Sequence, residues 1–279
     1  MEADMIIDFH VHTAYYRSMT GAYLELLRKG WGQSLEWMME TYSSPDNFLA
    51  LMDQAGIDYA VILAELAPVT TGTAENAYVA EFCSKSPRLI PFASINPFTS
   101  PDPVRELDDL VGNHRFRGLK LYPTYQQYYP NEARIYPLYA KAQELGIPVS
   151  IHLGSSVFRG ARLKYGDPIF IDDVAVDFPD LVLLQCHCGR PFWYDKAFNL
   201  ARIHDNVYME VSGLPPQKLL AFFPELERVA HKVVYGSDWP GVPAIKENVR
   251  AVKELAVSEE AKRKILGGNA ARILRIDMQ

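Results

Sequence analysis

Two histidines separated by one residue are the first candidates for chemistry. His10 and His12 lie in the segment 5–13, MIIDFHVHT, where apolar and polar residues alternate strictly. This alternation predicts a β-strand with two unlike faces, so both imidazoles would point to the same side. Two neutral imidazoles about 6–7 Å apart on one strand face can converge on a zinc-like ion. The exposed polar end of a strand would explain so short a pattern equally well.

Four later segments carry an ionisable residue near their C-terminal end. They are Lys120 in FRGLKLY, His152 in PVSIHLG, His187 in LVLLQCHCG and Asp238 in VVYGSD. Side chains alternate between the two faces of a strand, and this parity places the four residues on the face opposite the apolar one. With His10 and His12 they make six ionisable residues at the same end of five strands. Chance burial explains one such residue but not six. His and Asp ligands around an ion with an open position are typical of a catalytic metal site, which activates water at neutral pH and polarises a carbonyl.

These residues belong to a regular alternation of predicted strands and helices. The strands are expected at 5–13, 57–64, 89–96, 116–122, 148–154, 181–187, 207–212 and 233–238. The helices are expected at 22–29, 33–42, 45–54, 73–86, 102–112, 133–145, 169–178, 195–203, 217–230, 245–255 and 258–274. Strands that alternate with helices indicate a parallel sheet, and eight such units predict an α/β fold of the (β/α)8 TIM-barrel type. A doubly wound open sheet is the structural alternative.

We expect one domain over residues 1–279, with a helical insertion at about 14–44 after strand one. This insertion is rich in Tyr, Trp and Met, and both a lid and extra helical packing would explain it. In a barrel the carboxyl ends of all strands meet at one mouth, where barrel enzymes keep their active sites. The predicted elements would therefore bring the six ionisable residues together.

Composition limits the class of protein. Of the 279 residues 48% are hydrophobic, and the net charge of −6 argues against a nucleic-acid or anionic-membrane surface. No run of about 18 apolar residues predicts a membrane span. Three cysteines, Cys83, Cys186 and Cys188, do not form a disulfide framework, and the acidic start predicts no signal peptide. We therefore expect a cytoplasmic protein. Parity places Cys186 and Cys188 on the helix-facing side of their strand, as small core residues.

Six segments together resemble the metal-dependent amidohydrolase superfamily, specifically its amidohydrolase 2 branch. They are DFHVHT, GLKLYP, IHLG, CHCG, YGSDWP and GNAARIL, which span nearly the whole chain. The resemblance implies that one divalent metal, zinc most often and manganese alternatively, is bound by His10, His12, His152 and Asp238. It also implies that Asp238 shuttles a proton and that His187 contacts the attacking water or the substrate.

The same resemblance leaves the role of Lys120 open. Relatives with two metals carry a bridging carboxylated lysine at this position, which would bring a second metal. In many single-metal members the lysine meets the substrate instead. We expect substrate contacts from Lys120, Tyr122, Arg162, Arg190 and Trp239, because arginine binds carboxylates bidentately and aromatic walls are common in ligand pockets. Solvated surface positions and plain packing are the alternatives for these residues.

The sequence thus favours a metal-dependent hydrolase that acts through a metal-activated water on a small carboxylate-bearing ester, lactone or amide. A metal-dependent non-oxidative decarboxylase of an aromatic or unsaturated carboxylic acid is the main alternative. A phosphoesterase with a D-x-H-x-H start and a non-catalytic binding protein are further alternatives. The expected partner is a small-molecule substrate, with no nucleic acid and no membrane, and a homodimer is possible.

Overall fold

Eight parallel strands form one sheet around a central axis in the computed structural model, which describes residues 5–277. In chain order they are β1 Ile7–His12, β2 Tyr59–Leu63, β3 Leu89–Ser94, β4 Leu119–Leu121, β5 Val149–His152, β6 Leu183–Cys186, β7 Val207–Glu210 and β8 Val233–Val234. Each strand pairs with the next along the chain. Backbone hydrogen bonds from Phe9 N to Tyr235 O (3.0 Å) and from His12 N to Trp239 O (2.7 Å) join β1 to the segment after β8. The predicted barrel is confirmed.

Helices follow the strands and cover the outside of the barrel. They are α1 Gly21–Trp31, α2 Leu35–Tyr42, α3 Pro45–Ala55, α4 Asn76–Cys83, α5 Pro103–His114, α6 Pro123–Gln126, α7 Tyr136–Glu144, α8 Phe170–Asp177, α9 Tyr194–Ile203, α10 Leu219–Phe222, α11 Ile245–Lys253, α12 Glu259–Arg263 and α13 Asn269–Leu274. Helices α1 and α2 form the predicted insertion. No helix within residues 5–277 is long and apolar enough to cross a membrane.

Two predicted helices differ from the structure. The segment 217–230 is broken into the short helix α10 and a 3₁₀ stretch, Leu226–Lys232. Pro224 lies between them, and a proline both lacks an N–H donor and disfavours helical backbone at the residue before it. The helix predicted over 73–86 begins only at Asn76, because Gly72–Ala74 is a strand.

That strand belongs to a small antiparallel sheet which the sequence did not indicate. Its other strands are Ser18–Met19 and Glu65–Ala67, which follow β1 and β2 closely in the chain. A Cβ atom at Gly72 would lie 1.8 Å from Ser18 O, so only glycine allows this pairing. The small sheet places Glu65 and Thr71 beside the mouth of the barrel.

The strict alternation predicted for β1 is wrong in its first half. The register of β1 against β2 shifts between Asp8 and Val11. Ile7 and Phe9 consequently join the apolar cluster inside the barrel, where Phe9 meets Phe92 edge-on at 5.4 Å between ring centroids. His10 and His12 still point inward after the irregularity, which acts like a bulge that resets the phase of the strand.

The side chain of Asp8 forms hydrogen bonds with this irregular backbone. Its Oδ1 accepts hydrogen bonds from His10 N (3.2 Å) and Ser237 N (2.8 Å), and thereby ties β1 to the chain after β8. Its Oδ2 is buried without a partner. Burial raises the pKa of this carboxyl from 3.8 to about 7, since the charged form loses its hydration.

We expect the Asp8→Asn variant to change how stability depends on pH. A carboxyl whose pKa is raised in the folded state stabilises the folded protein when the pH lies below the pKa that the group has in the unfolded chain. This contribution to the free energy of unfolding is lost as the pH rises to about 7, the pKa in the folded state. The asparagine variant should therefore gain about 2 kcal/mol in unfolding free energy relative to the wild type between pH 5 and pH 8. Urea unfolding of chelator-treated protein measures this difference. The exposed Asp46, replaced by asparagine, serves as control, and parallel pH curves for Asp8→Asn and wild type would contradict the prediction.

Candidate metal centre and active site

Three side chains at the closure of the barrel present their donor atoms to one point. His10 Nε2 lies 3.3 Å from His12 Nε2, and Asp238 Oδ1 lies 3.6 Å and 3.7 Å from these two nitrogens. Ligands about 2.0–2.2 Å from a tetrahedral ion lie about 3.3–3.6 Å from one another. The three atoms therefore have the separations that one divalent ion requires.

His187 reaches the same point from the turn after β6. Both His187 and Cys188 have positive φ angles, 65° and 49°, and this left-handed backbone directs the imidazole inward. Donor atoms of His10, His187 and Asp238 all lie within 4.8 Å of one another. His152 Nδ1 lies 3.1 Å from His187 Nε2, while His152 Nε2 is buried and has no hydrogen-bond partner.

The parity predicted for β6 is wrong. Gln185 donates to Ala197 O of α9 at 2.9 Å and so faces the helices, whereas Leu184 belongs to the cluster inside the barrel. Cys186 accordingly points inward and accepts a hydrogen bond from Lys120 Nζ at 2.9 Å. The interpretation of Cys186 as a helix-facing residue is therefore wrong, while Cys188 does lie in the outer core.

In three of the imidazoles, the ring nitrogen that faces away from the cluster, Nδ1, lies within hydrogen-bond distance of an oxygen atom. Nδ1 of His10 lies 2.6 Å from Glu210 Oε2, and Nδ1 of His12 lies 3.2 Å from Glu65 Oε2. Nδ1 of His187 lies 2.9 Å from the carbonyl oxygen of Ser212. An acceptor at Nδ1 leaves the lone pair on Nε2, which is the arrangement typical of metal-ligating histidines. The residues present thus fit a divalent ion.

Burial also keeps the cluster ready to bind a cation. Removal from water lowers the pKa of each of the four imidazoles well below its ordinary value, and nearby positive or imidazole groups add to this effect. The four residues are His10, His12, His152 and His187. Neutral imidazoles at pH 7 need not release a proton before they bind a metal.

A cavity of about 230 Å³ opens beside the cluster. Its lining includes His12, His152, His187 and Asp238, and its aromatic walls are Tyr23, Tyr122, Tyr125 and Phe158. Tyr125 lies 4.6 Å from the His152 ring and is stacked on Tyr122 at 5.8 Å. Tyr23 and Leu26 come from α1, so the insertion forms part of the cavity wall.

Arg190 supplies a positive charge at the end of the cavity near the cluster. Its guanidinium lies 3.6 Å from Asp238 Oδ2 and donates to Gly213 O at 2.9 Å. Both Arg190 and Asp238 line the cavity. A guanidinium in this position can bind a carboxylate, and its hydrogen bond to Gly213 holds it there.

A family model described as Amidohydrolase matches residues 7–276. The chain belongs to the amidohydrolase family. The predicted resemblance is confirmed, and family membership makes this protein an enzyme of the amidohydrolase type. No curated protein matches the chain.

Solved structures share the barrel of this amidohydrolase over its whole length. An uncharacterised TIM-barrel protein from Bordetella bronchiseptica is 26% identical, with a TM-score of 0.81 over 97% of this chain and 98% of that one. The dihydroxybenzoic acid decarboxylase from a Polaromonas species, solved with manganese and the inhibitor 2-nitroresorcinol, is 18% identical, with a TM-score of 0.74 and 98% coverage of both chains. The 5-carboxyvanillate decarboxylase from Sphingomonas paucimobilis is 18% identical, with a TM-score of 0.71 over 99% of this chain and 100% of that one.

The structure brings most but not all of the predicted site residues to the cavity of the amidohydrolase. Tyr122 and Arg190 line it together with His12, His152, His187 and Asp238, and His10 joins through its Nε2. Lys120 is fully buried inside the barrel and is not among the lining residues. Arg162 is exposed, and Trp239 packs on Trp31 and Phe48 away from the cavity.

Sequence reasoning missed Glu65, Tyr16 and Ser212 as parts of the site. Tyr16 donates to Glu65 Oε2 at 2.6 Å, and the Tyr16 hydroxyl lies 3.1 Å from His12 Nδ1. Ser212 Oγ lies 3.0 Å from His10 Nδ1 and 2.9 Å from His187 Nδ1. An acidic residue two positions beyond the apolar run of β2 was a signal for Glu65 that the sequence offered.

Proposed function

We propose that this amidohydrolase is a metal-dependent non-oxidative decarboxylase of a small aromatic carboxylic acid. The observation that carries the proposal is the pairing of Asp238 with Arg190 at the cluster end of an aromatic-walled cavity. An acid group beside a carboxylate-binding guanidinium suits the replacement of a carboxylate by a proton. The decarboxylases among the solved structures of the same fold support this reaction over the hydrolysis that the sequence favoured.

One divalent ion would be held by His10, His12 and Asp238, with His187 or His152 completing the set. A bound ion would supply positive charge that orients an acidic oxygen of the substrate. Manganese is the metal of a solved decarboxylase with this fold, and zinc remains the alternative that the histidine-rich donor set permits. The ligand set applies equally to either metal.

The residues around the cavity then have separate tasks. The side chains of Tyr122, Tyr125 and Phe158 would stack against a planar ring and exclude water from it. Arg190 would bind the substrate carboxylate, and Asp238 Oδ2, which faces Arg190, would take the proton of a phenolic hydroxyl of the substrate and give it to the ring carbon that bears this carboxylate. The bond between ring carbon and carboxylate then breaks, carbon dioxide leaves, and the new C–H bond remains.

The size of the cavity limits the substrate. Pockets for drug-sized ligands have volumes of about 300–1,000 Å³, and this cavity of about 230 Å³ is smaller. We therefore propose a substrate with one ring.

The buried thiols of Cys83, Cys186 and Cys188 are all free, which supports a reducing, cytoplasmic location as part of the same proposal.

A panel of hydroxylated benzoic acids tests the reaction directly. The protein, loaded with Mn²⁺ or Zn²⁺, is incubated with acids such as 2,6-dihydroxybenzoate and 5-carboxyvanillate, and with lactones and esters of similar size. We expect carbon dioxide and the corresponding phenol in equal amounts from at least one acid, with deuterium at the released position in D₂O. Turnover of esters or lactones without carbon dioxide would instead establish hydrolysis.

A further inference from the structure

Three buried residues lie close to His10 and outside the lining of the cavity. Lys120, Cys186 and Glu210 come from β4, β6 and β7, are fully buried, and are absent from the cavity lining. Lys120 Nζ donates to Cys186 Sγ at 2.9 Å. Donor atoms of Cys186, Glu210 and His10 lie within 4.8 Å of one another. The proposed reaction uses none of the three.

Glu210 fixes the ring of His10 in one orientation. Its Oε2 lies 2.6 Å from His10 Nδ1, and its Oε1 accepts from Ser212 N at 2.8 Å. Burial raises the pKa of Glu210, and the charge of Lys120 opposes this effect. In its ionised form the carboxylate only accepts hydrogen bonds, so Nδ1 then carries the proton. The lone pair of the neutral ring is then on Nε2, the atom 3.3 Å from His12 Nε2.

Gly236 leaves room for this contact. A Cβ atom at residue 236 would lie 2.6 Å from Glu210 Oε1 and 2.6 Å from His10 Cβ. Glycine is therefore required for β7 and the chain after β8 to bring the carboxylate and the imidazole together.

Lys120 provides the charge that a buried carboxylate needs. A buried ion without compensation is strongly destabilising, and a charge of opposite sign nearby offsets this effect. The Lys120 amine is fully buried, and its sulfur partner Cys186 lies within 4.8 Å of the Glu210 carboxylate. The amine thus bonds the thiol that lies beside the Glu210 carboxylate, and it also lies 5.2 Å from the centroid of the Tyr122 ring.

We propose that Glu210 is a positioning residue that holds His10 as the Nδ1–H tautomer, and that Lys120 acts only through Glu210. Lys120 then neither bridges two metals nor contacts the substrate. The proposal rests on His10 being a metal ligand, as in the proposed function, but it is independent of which reaction the enzyme catalyses.

Metal affinity tests the proposal without any substrate. The dissociation constant for Co²⁺ is measured by competition with a chromogenic chelator for wild type, Glu210→Gln and Lys120→Met. We expect binding about 10–100-fold weaker for Glu210→Gln, the usual effect of losing such a partner, a smaller loss for Lys120→Met, and one ion per chain in all three. Gln185→Leu, which removes a buried hydrogen bond on the helix side, should bind Co²⁺ like the wild type.

A measurement on the unaltered protein covers the case in which a variant fails to fold. Histidine-ring ¹⁵N spectra of the metal-free wild type should show His10 protonated at Nδ1. Protonation at Nε2, an unchanged Co²⁺ constant in Glu210→Gln, or two ions per wild-type chain with one lost in Lys120→Met would overturn the proposal. Because none of these readouts involves turnover, failure of the decarboxylation assay alone leaves the proposal standing.

Discussion

Asp238→Asn should lower kcat for decarboxylation about 10³-fold, the largest loss that we expect from a single substitution outside the histidines. Asparagine keeps the size of the side chain and an oxygen for the cluster but has no proton to transfer. General acid catalysis contributes about 10²–10⁴ in rate, which sets this magnitude. Because Arg190 and the aromatic walls remain, KM should change much less than kcat. Steady-state kinetics at saturating Mn²⁺ measures both constants.

The metal content of Asp238→Asn must be determined in the same samples, since Asp238 Oδ1 also lies near His10 and His12. A variant that holds the ion but has lost turnover separates proton transfer from metal binding. Asp195→Asn, an exposed change at the start of α9, is the matched control and should leave kcat unaltered. If fully loaded Asp238→Asn kept kcat within tenfold of the wild type, Asp238 would not be the proton donor.

The sequence predicted the barrel and the residues of its mouth because both follow from local patterns. Strand–helix alternation indicates parallel pairing wherever it recurs, and parity holds in β5, where His152 points inward as expected. Periodicity reports which residues share a face. It does not report distances between strands, so the contact of Glu210 with His10 could not be predicted.

Parity failed in the two strands where the backbone departs from regular geometry. In β1 the irregularity depends on Asp8, whose carboxylate bonds Ser237, a residue 229 positions away. In β6 the strand ends at Cys186, and the left-handed turn at His187 reverses the expected side. Despite these two errors of parity His10 and His187 point to the axis, because they reach it by backbone features that no strand pattern contains.

Other parts of the site depend on contacts between segments that are far apart in the fold. Glu65 enters the site because the small antiparallel sheet holds the chain after β2 against Ser18–Met19. Trp239, which follows Asp238 in the sequence, was expected to contact the substrate as part of an aromatic wall. The indole instead packs on the insertion, where Trp31 Nε1 donates to Pro240 O at 2.9 Å. Adjacency in sequence to a site residue is thus a weak predictor of contact with the substrate.

His12→Ala should remove most of the bound metal. The variant loses one of the three donor atoms that are 3.3–3.7 Å apart and leaves Glu65 and Tyr16 without the imidazole between them and the ion. Loss of a residue that only forms a hydrogen bond with a metal ligand weakens metal binding about 10–100-fold. Loss of a ligand itself should therefore weaken metal binding at least about 100-fold. Elemental analysis of protein purified without chelator should give one ion per wild-type chain and almost none for His12→Ala. The exposed His114, replaced by alanine, serves as control.

Thermal unfolding provides a second measure of the same loss. A ligand present at about 100 times its dissociation constant stabilises the folded state by about 2.7 kcal/mol. Added Mn²⁺ or Zn²⁺ should therefore raise the Tm of the wild type and of His114→Ala but not that of His12→Ala. Equal metal content and equal Tm shifts in all three proteins would place the ion elsewhere. If the wild type took up no ion, the metal would have no part in the mechanism. The imidazoles that converge on Asp238 would then be only a buried polar network of the barrel.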